Sequence, residues 1–182
     1  MSLRYAILGF LSLQPMSGYD LKTKQFDDSV AHFWPANQAQ IYRTLEKLEA
    51  DGCVVAQWEI QTERPNRREY ALTEAGLAEL KAWLTDLHPM PKDRFPFLVQ
   101  FYFARHISKA ELLELLADQR RQHVEKLMLY QNFEMPVAED DAMREQLFFG
   151  GQTLEFGLRY EQMWIDWFDH VISEVEKRDD EK

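Results

Sequence analysis

Eight side chains carry the clearest chemistry in this 182-residue sequence, and they fall in two short stretches. Gln38, Gln40, Tyr42 and Arg43 lie along Asn37-Gln-Ala-Gln-Ile-Tyr-Arg-Thr-Leu-Glu-Lys-Leu-Glu-Ala-Asp-Gly52, and Arg64, Asn66, Arg67 and Arg68 crowd into Gln61-Thr-Glu-Arg-Pro-Asn-Arg-Arg68. A primary amide presents a donor beside an acceptor and can pair bidentately with adenine, so Gln38 and Gln40 are candidates for reading base edges. Tyr42 and Arg43 suit phosphate oxygens, and Arg43 can also reach a guanine. Arg64, Arg67 and Arg68, with Asn66 at the tip of the turn, suit phosphates or the minor groove, although each arginine can instead pair with Glu63 or Glu69.

Residues 37–52 must form a helix to present these groups. Asn37 can cap its first turn, and Gly52 can take the left-handed conformation that closes the last one. Ile41, Leu45 and Leu48 recur at i, i+4 and i+7 and form a stripe for burial. Ala39 and Arg43 then lie opposite that stripe, with Gln40 and Tyr42 on its flanks.

Upstream, Leu3, Ile7, Leu8 and Leu11 predict a helix over 3–13. The turn residues Pro15, Ser17 and Gly18 end it, and Ser17 can cap a second helix that supplies Leu21 and Phe26 to the same core. Phe33-Trp34-Pro35 is a joint that no helix can cross. After Gly52, Val54, Val55, Trp58 and Ile60 predict a strand, the polar turn 61–68 reverses the chain, and Glu69-Tyr-Ala-Leu72 returns as a second strand. Thr73 caps a further helix with Leu77, Leu80 and Leu84 on its inner side. Three helices, a hairpin and a helix is the order of a winged helix-turn-helix, whose third helix enters the major groove while the hairpin touches the backbone.

The stretch Tyr42-Arg-Thr-Leu-Glu-Lys-Leu-Glu-Ala-Asp-Gly52, followed by Arg67-Arg-Glu-Tyr-Ala-Leu-Thr-Glu-Ala-Gly76, strongly resembles the PadR family of bacterial transcriptional regulators. So do Leu8-Gly-Phe-Leu-Ser-Leu13 and Met16-Ser-Gly-Tyr-Asp-Leu21. The resemblance covers nearly the whole chain and is most specific over residues 5–76. It implies a DNA-binding regulator, and the run from Phe97 to Gln131 with Leu154-Glu-Phe-Gly-Leu-Arg-Tyr-Glu-Gln-Met-Trp-Ile-Asp-Trp167 looks like the helical C-terminal domain of the larger PadR-like proteins.

Prolines and a charge pair in His88-Pro-Met-Pro-Lys-Asp93 mark residues 89–93 as a linker between a unit at 1–88 and one at 94–182. Ser108 caps a helix through Gln131 that buries Leu112, Leu113, Leu116, Val124 and Leu127. A last helix runs from about Asp141 toward Glu176, with Gly150-Gly151 as a point where it can bend. Leu158, Ile165, Phe168, Ile172 and Val175 follow steps of seven, three, four and three, a heptad seam with Glu161 in the vacant slot. Such a seam wants a partner helix, and Leu158, Ile165, Phe168 and Ile172 are the dimerisation candidates. The resemblance adds a small aromatic effector held near Trp164 and Trp167; plain packing is the other reading of these rings.

Composition narrows the function. The formal net charge is −10, which disfavours non-specific coating of nucleic acid or anionic lipid. Residues 1–90 hold 9 Lys and Arg against 12 Asp and Glu, and residues 91–182 hold 12 against 19, so the acid is concentrated in the second half. No apolar run reaches the ~18 residues of a membrane span, and no cleavage site follows the apolar N-terminus, so a cytoplasmic protein is expected. The lone Cys53 excludes an internal disulfide and fits a small core position. His32, His88, His106, His123 and His170 lack ligand spacing, no nucleophile elbow or phosphate loop is present, and neither a metal, a cofactor nor an enzymatic activity is expected. The sequence therefore describes a mainly α chain with a small β-hairpin, an N-terminal winged helix-turn-helix and a C-terminal all-helical dimerisation domain. A homodimeric repressor on a palindromic operator is the leading reading; a winged-helix protein–protein adaptor without DNA binding is the alternative.

Overall fold

The computed structural model describes residues 2–27, 34–59, 67–90 and 92–178. The chain divides into two compact units, Met1–Pro91 and Lys92–Lys182. The first contains α1 (Ser2–Leu13), β1 (Met16–Ser17), α2 (Gly18–Asp20) continuing into a π-helical segment Leu21–Phe26, α3 (Gln38–Ala50), β2 (Val54–Glu59), β3 (Arg67–Leu72) and α4 (Glu74–Leu84). This is a winged helix-turn-helix with a three-stranded antiparallel sheet in the order β1-β3-β2.

The sheet has one strand more than the sequence predicts. Met16 pairs with Tyr70 and Ser17 with Glu69, so residues expected to be a turn form a two-residue strand. Two residues carry no periodicity, and their extended geometry comes from the free edge of β3 rather than from local preference. Ser17 still serves as the cap of α2, its hydroxyl accepting the amide of Asp20 at 3.1 Å.

Helix α3 is closed at both ends as its residues require. Asn37 Oδ1 accepts the Gln40 amide and Gln40 Oε1 accepts the Asn37 amide, both at 2.9 Å, a reciprocal capping box. Gly52 has φ +73°, the left-handed geometry that favours glycine. Ile41, Leu45 and Leu48 are fully buried with Ile7, Leu8, Leu21 and Phe26, each side chain stabilising the unit by roughly 1.5 to 3 kcal/mol through apolar burial.

Helix α4 turns a different face inward from the one its leucines suggest. Leu80 is buried, but Leu77 and Leu84 are exposed; Gly76 and Trp83 complete the inner stripe, with Trp83 stacked on Tyr5 at 4.5 Å. Gly76, Leu80 and Trp83 also fall at i, i+4 and i+7. The close approach of the backbone at Gly76 selects this stripe over the leucine one.

A polar clasp ties α1, the end of α3 and α4 together. Arg4 Nε and Nη2 donate to the two carboxylate oxygens of Glu79 at 2.6 and 2.8 Å, and Nη1 donates to Asp51 at 2.6 Å. The Arg4 hydrogen bond holds the Glu79 carboxyl down at about 2, from an ordinary 4.5. A depressed carboxyl pKa contributes stability that is present above the unfolded value and lost as pH falls through the folded one, here between about 4.5 and 2. Replacing Glu79→Gln is expected to remove about 2 kcal/mol near neutral pH, after discounting for solvent screening. Denaturant titrations at pH 7 and pH 3 check this: the gap between wild type and variant must narrow at the lower pH.

The second unit consists of α5 (Pro96–Tyr102), a 3-10 turn Ala104–His106, α6 (Lys109–Gln131) and α7 (Asp141–Lys177). Ser108 makes a capping box with Glu111, and α7 passes through Gly150 and Gly151 without a break in the helix. Phe168 is fully buried, and Ile165 and Val175 nearly so, within the single chain. The core of this unit joins Phe97 of α5 and Leu112 and Leu116 of α6 to Trp164, Phe168, Val171 and Val175 of α7. Part of the heptad seam thus packs on α6 of the same chain, where Phe168, Ile172 and Val175 meet Leu112 and Leu116. A seam in sequence announces that a helix is needed but not which chain supplies it.

Candidate nucleic-acid interface

Gln38, Ala39, Gln40 and Arg43 are exposed on the side of α3 away from the core, and Tyr42 is half-exposed on its flank. These residues do not have equal freedom. The carbonyl of Gln40 is held by the Asn37 amide, and its NH2 remains to donate. A bidentate adenine contact needs both ends of the amide. Gln40 makes that contact with one lone pair of its oxygen already committed to the capping box, whereas Gln38 stands outside the box. Arg43 Nε donates back to the Ala39 carbonyl at 3.1 Å, which steers the rest of the guanidinium outward from the first half of the helix.

Tyr42 rests against α2. A Cβ built on Gly18 would lie 2.7 Å from the Tyr42 ring, so a glycine at position 18 lets α2 and α3 cross closely with the tyrosine between them. Tyr42 thus helps set the angle between the two helices.

On the wing, Arg64 and Asn66 lie outside the described residues. Arg67 and Arg68 occupy the start of β3, opposite Glu59 and Trp58 of β2. Both arginines are engaged by carboxylates of the same unit. Arg67 reaches Asp20 at 3.0 Å and Glu69 at 3.6 Å; Arg68 gives one nitrogen, Nη2, to both oxygens of Glu49 at 2.6 Å and lies over the Tyr70 ring. Asp20 in turn holds Lys24 and the Ser17 hydroxyl, and the Lys24 hydrogen bond lowers its carboxyl pKa. The sequence predicts pairing with Glu69 but not with Asp20 or Glu49, which stand 47 and 19 residues away from their arginines. Trp58, an exposed aromatic on the wing, was expected only as a strand residue.

Cys53 is a buried thiol at the foot of the sheet. Arg4 approaches its Sγ at 3.3 Å, but the thiol itself faces Glu79 at 3.1 Å. Burial first and that carboxylate second push its pKa up, so it stays protonated at neutral pH, as a structural cysteine does.

In the second unit, Trp164 and Trp167 meet at 5.8 Å in a cluster with Phe95, Phe97, Phe101 and Phe168. His123 of α6 stacks on Trp164 at 5.2 Å. Beneath them Glu161, only 1% exposed, is hydrogen-bonded to His123 Nδ1 at 2.5 Å and pairs with Lys126 Nζ at 2.8 Å. Trp164 Nε1 is buried without an acceptor among the described residues. The vacant slot of the heptad thus holds the one carboxylate that the described core of this unit encloses. Among the described residues no group of three or more His, Cys, Asp or Glu is placed to hold a metal, and no helix is long and apolar enough to cross a membrane.

Comparison with known proteins agrees with this geometry. Residues 7–82 match the transcriptional regulator PadR-like family, and residues 94–176 match the family described as virulence activator alpha C-term. The negative transcriptional regulator PadR of Bacillus subtilis is 31% identical over 179 residues, 96% of this chain and 98% of that protein. The crystal structure of Bacillus subtilis PadR in complex with operator DNA superposes with a TM-score of 0.82 at 29% identity, covering 96% of this chain and 99% of that one. The structure of the same regulator in complex with p-coumaric acid gives 0.78 at 27% identity, covering 97% and 100%. With a winged helix-turn-helix in the first unit, and with this likeness extending over nearly the full length, the chain belongs to the PadR-like family of transcriptional regulators.

Proposed function

We propose that the chain is a homodimeric repressor that binds a palindromic operator, with α3 of each copy in the major groove and each wing beside it. The carrying observation is the outward face of α3, capped at both ends and presenting Gln38 and Arg43 clear of the core. The operator complex of Bacillus subtilis PadR supports the same use of the fold. Gln38 reads a base edge, Tyr42 and Arg43 meet phosphates, and Arg64, Asn66, Arg67 and Arg68 of the wing reach the adjacent backbone or minor groove.

With Phe168 and Ile172 in the cluster shared with α6 and Ile165 buried within the single chain, we assign the second copy to another face of α7. Phe149, Phe156 and Met163 recur every seven residues and are exposed. They lie roughly 120° around the helix from Phe168, at 100° per residue. Tyr160 and Trp167, both partly buried, continue that face toward the aromatic core. An apolar stripe of this length is what a paired helix covers. Dimerisation matters because one acidic subunit has few cations to hold DNA, and two linked readers gain avidity without new contacts.

A small aromatic effector is part of the proposal. Support comes from the p-coumaric acid complex of the Bacillus subtilis regulator, and in this chain from the ring cluster at Trp164 and Trp167 with its unpartnered indole N–H. Gel shifts with duplexes selected from a random pool test the whole reading. Arg43→Ala is expected to weaken binding about tenfold or more per dimer, Phe156→Asp to give a monomer that no longer shifts the duplex, and p-coumaric acid to release it. Absence of any retained DNA at low salt would leave the adaptor reading instead.

A further inference from the structure

We infer that Glu49 sets the DNA affinity of this chain by holding Arg68 of the wing away from phosphate, an inference that rests on the DNA-binding reading above. Three observations converge on it. Glu49 follows Gln38 and Tyr42 at steps of four and seven, so it shares their flank of α3. Its two carboxylate oxygens both take Nη2 of Arg68 at 2.6 Å, joining the reading helix to the wing. Both side chains keep about a third of their surface in solvent, 39% for Arg68 and 32% for Glu49.

The geometry marks this pair as exchangeable. Arg4 engages Glu79 through two nitrogens in a fixed fork, the arrangement that gives guanidinium–carboxylate pairs their directionality. Arg68 engages Glu49 through a single nitrogen, so a small rotation carries the guanidinium to a phosphate without dismantling the domain. Solvent-exposed pairs of this kind contribute little to folding. The carboxylate therefore acts mainly on the bound state. It must surrender its cation when DNA arrives, and it then stands uncompensated on the flank of a helix that lies against phosphates. A charge-neutral residue there leaves the wing cation available at no such cost.

Full-length variants and a labelled duplex selected from a random pool by the wild-type chain provide the test. Glu49→Gln, which keeps the acceptor oxygen and removes the charge, is expected to tighten binding about two- to fivefold per subunit. It should also steepen the slope of log affinity against log salt by about 0.9 per subunit. Two controls assign the effect. Glu114→Gln, exposed on α6, changes net charge equally and is expected to alter neither quantity. In an Arg68→Ala background the gain from Glu49→Gln is expected to fall to near zero. An equal gain with and without Arg68 would overturn the inference and assign general charge repulsion instead. Weaker binding by Glu49→Gln with an unchanged melting temperature would overturn it in favour of a positioning role. Failure of the wild-type chain to select any duplex would sink the DNA-binding reading and this inference together, whereas selection with no response to Glu49→Gln sinks the inference alone.

Discussion

Replacing His123 and Lys126 together by leucine is expected to destabilise the second unit by about 3 to 5 kcal/mol, because it strands Glu161 as a buried charge with no cation beside it. Glu161 is enclosed by α6, α7 and the aromatic cluster, and His123 and Lys126 provide its polar partners. Loss of Lys126 alone should cost less, since His123 at 2.5 Å still hydrogen-bonds the carboxylate. Adding Glu161→Leu to the double variant is expected to restore most of the lost stability, because a buried ion cluster replaced as a whole by apolar groups of similar size is often neutral or better. Urea unfolding of the four proteins, followed by tryptophan fluorescence, reads this directly through Trp164 and Trp167. A double variant as stable as wild type would show that water or backbone, rather than His123 and Lys126, satisfies Glu161. The contrast also separates stability from specificity. A single polar layer in an apolar helix pair fixes which residues face each other, since any slip of α6 along α7 would separate Glu161 from both His123 and Lys126. The triple variant is thus expected to be stable but less faithful in register, visible as broader side-chain resonances in the second unit.

Much of the first unit was legible because its signals are local. Asn37, Gln40 and Gly52 mark the ends of α3 by chemistry that acts within one turn, and Ile41, Leu45 and Leu48 mark its inner face by spacing alone. What escaped depends on contacts made across the fold. The strand at Met16 and Ser17 exists because β3 has a free edge to pair with. The inner stripe of α4 is chosen by a backbone approach at Gly76, which no periodicity records. The pairing of Arg68 with Glu49 bridges a helix and a strand whose relative placement the sequence implies only through the fold. Even the heptad on α7 was legible as a seam while its occupant was not. An intramolecular helix and a second subunit bury the same pattern, and in this fold α6 of the same chain packs on Phe168 and Val175. Glu161 had a visible signal, the polar residue interrupting that seam, and the structure supplies its reason in His123 and Lys126.

The second large effect is expected from Gly76→Ala, on the order of 3 kcal/mol or more of destabilisation confined to the first unit. A Cβ at this position would lie 2.1 Å from the backbone carbonyl oxygen of Cys53 and 2.8 Å from Leu72. The leucine methyl could rotate aside, but the carbonyl cannot. It accepts the Thr73 amide at 3.1 Å, while the Thr73 hydroxyl donates to the Gly52 carbonyl at 2.8 Å and accepts the Gly76 amide at 3.1 Å. Relief of the overlap therefore requires α4 to lift from the start of β2, which opens the Thr73 cap, pulls Trp83 from Tyr5 and stretches the Arg4–Glu79 clasp. Those losses are coupled through one rigid helix, so they arrive together rather than one at a time. Calorimetry of the full chain should show the transition of the first unit moved down by ten degrees or more, at roughly 4 to 8 °C per kcal/mol for a domain of this size, with the second unit unchanged. A variant that keeps its melting temperature would mean that α4 shifts freely over β2. The clasp, the cap and the stacking pair would then contribute far less to the DNA-reading unit than their geometry implies.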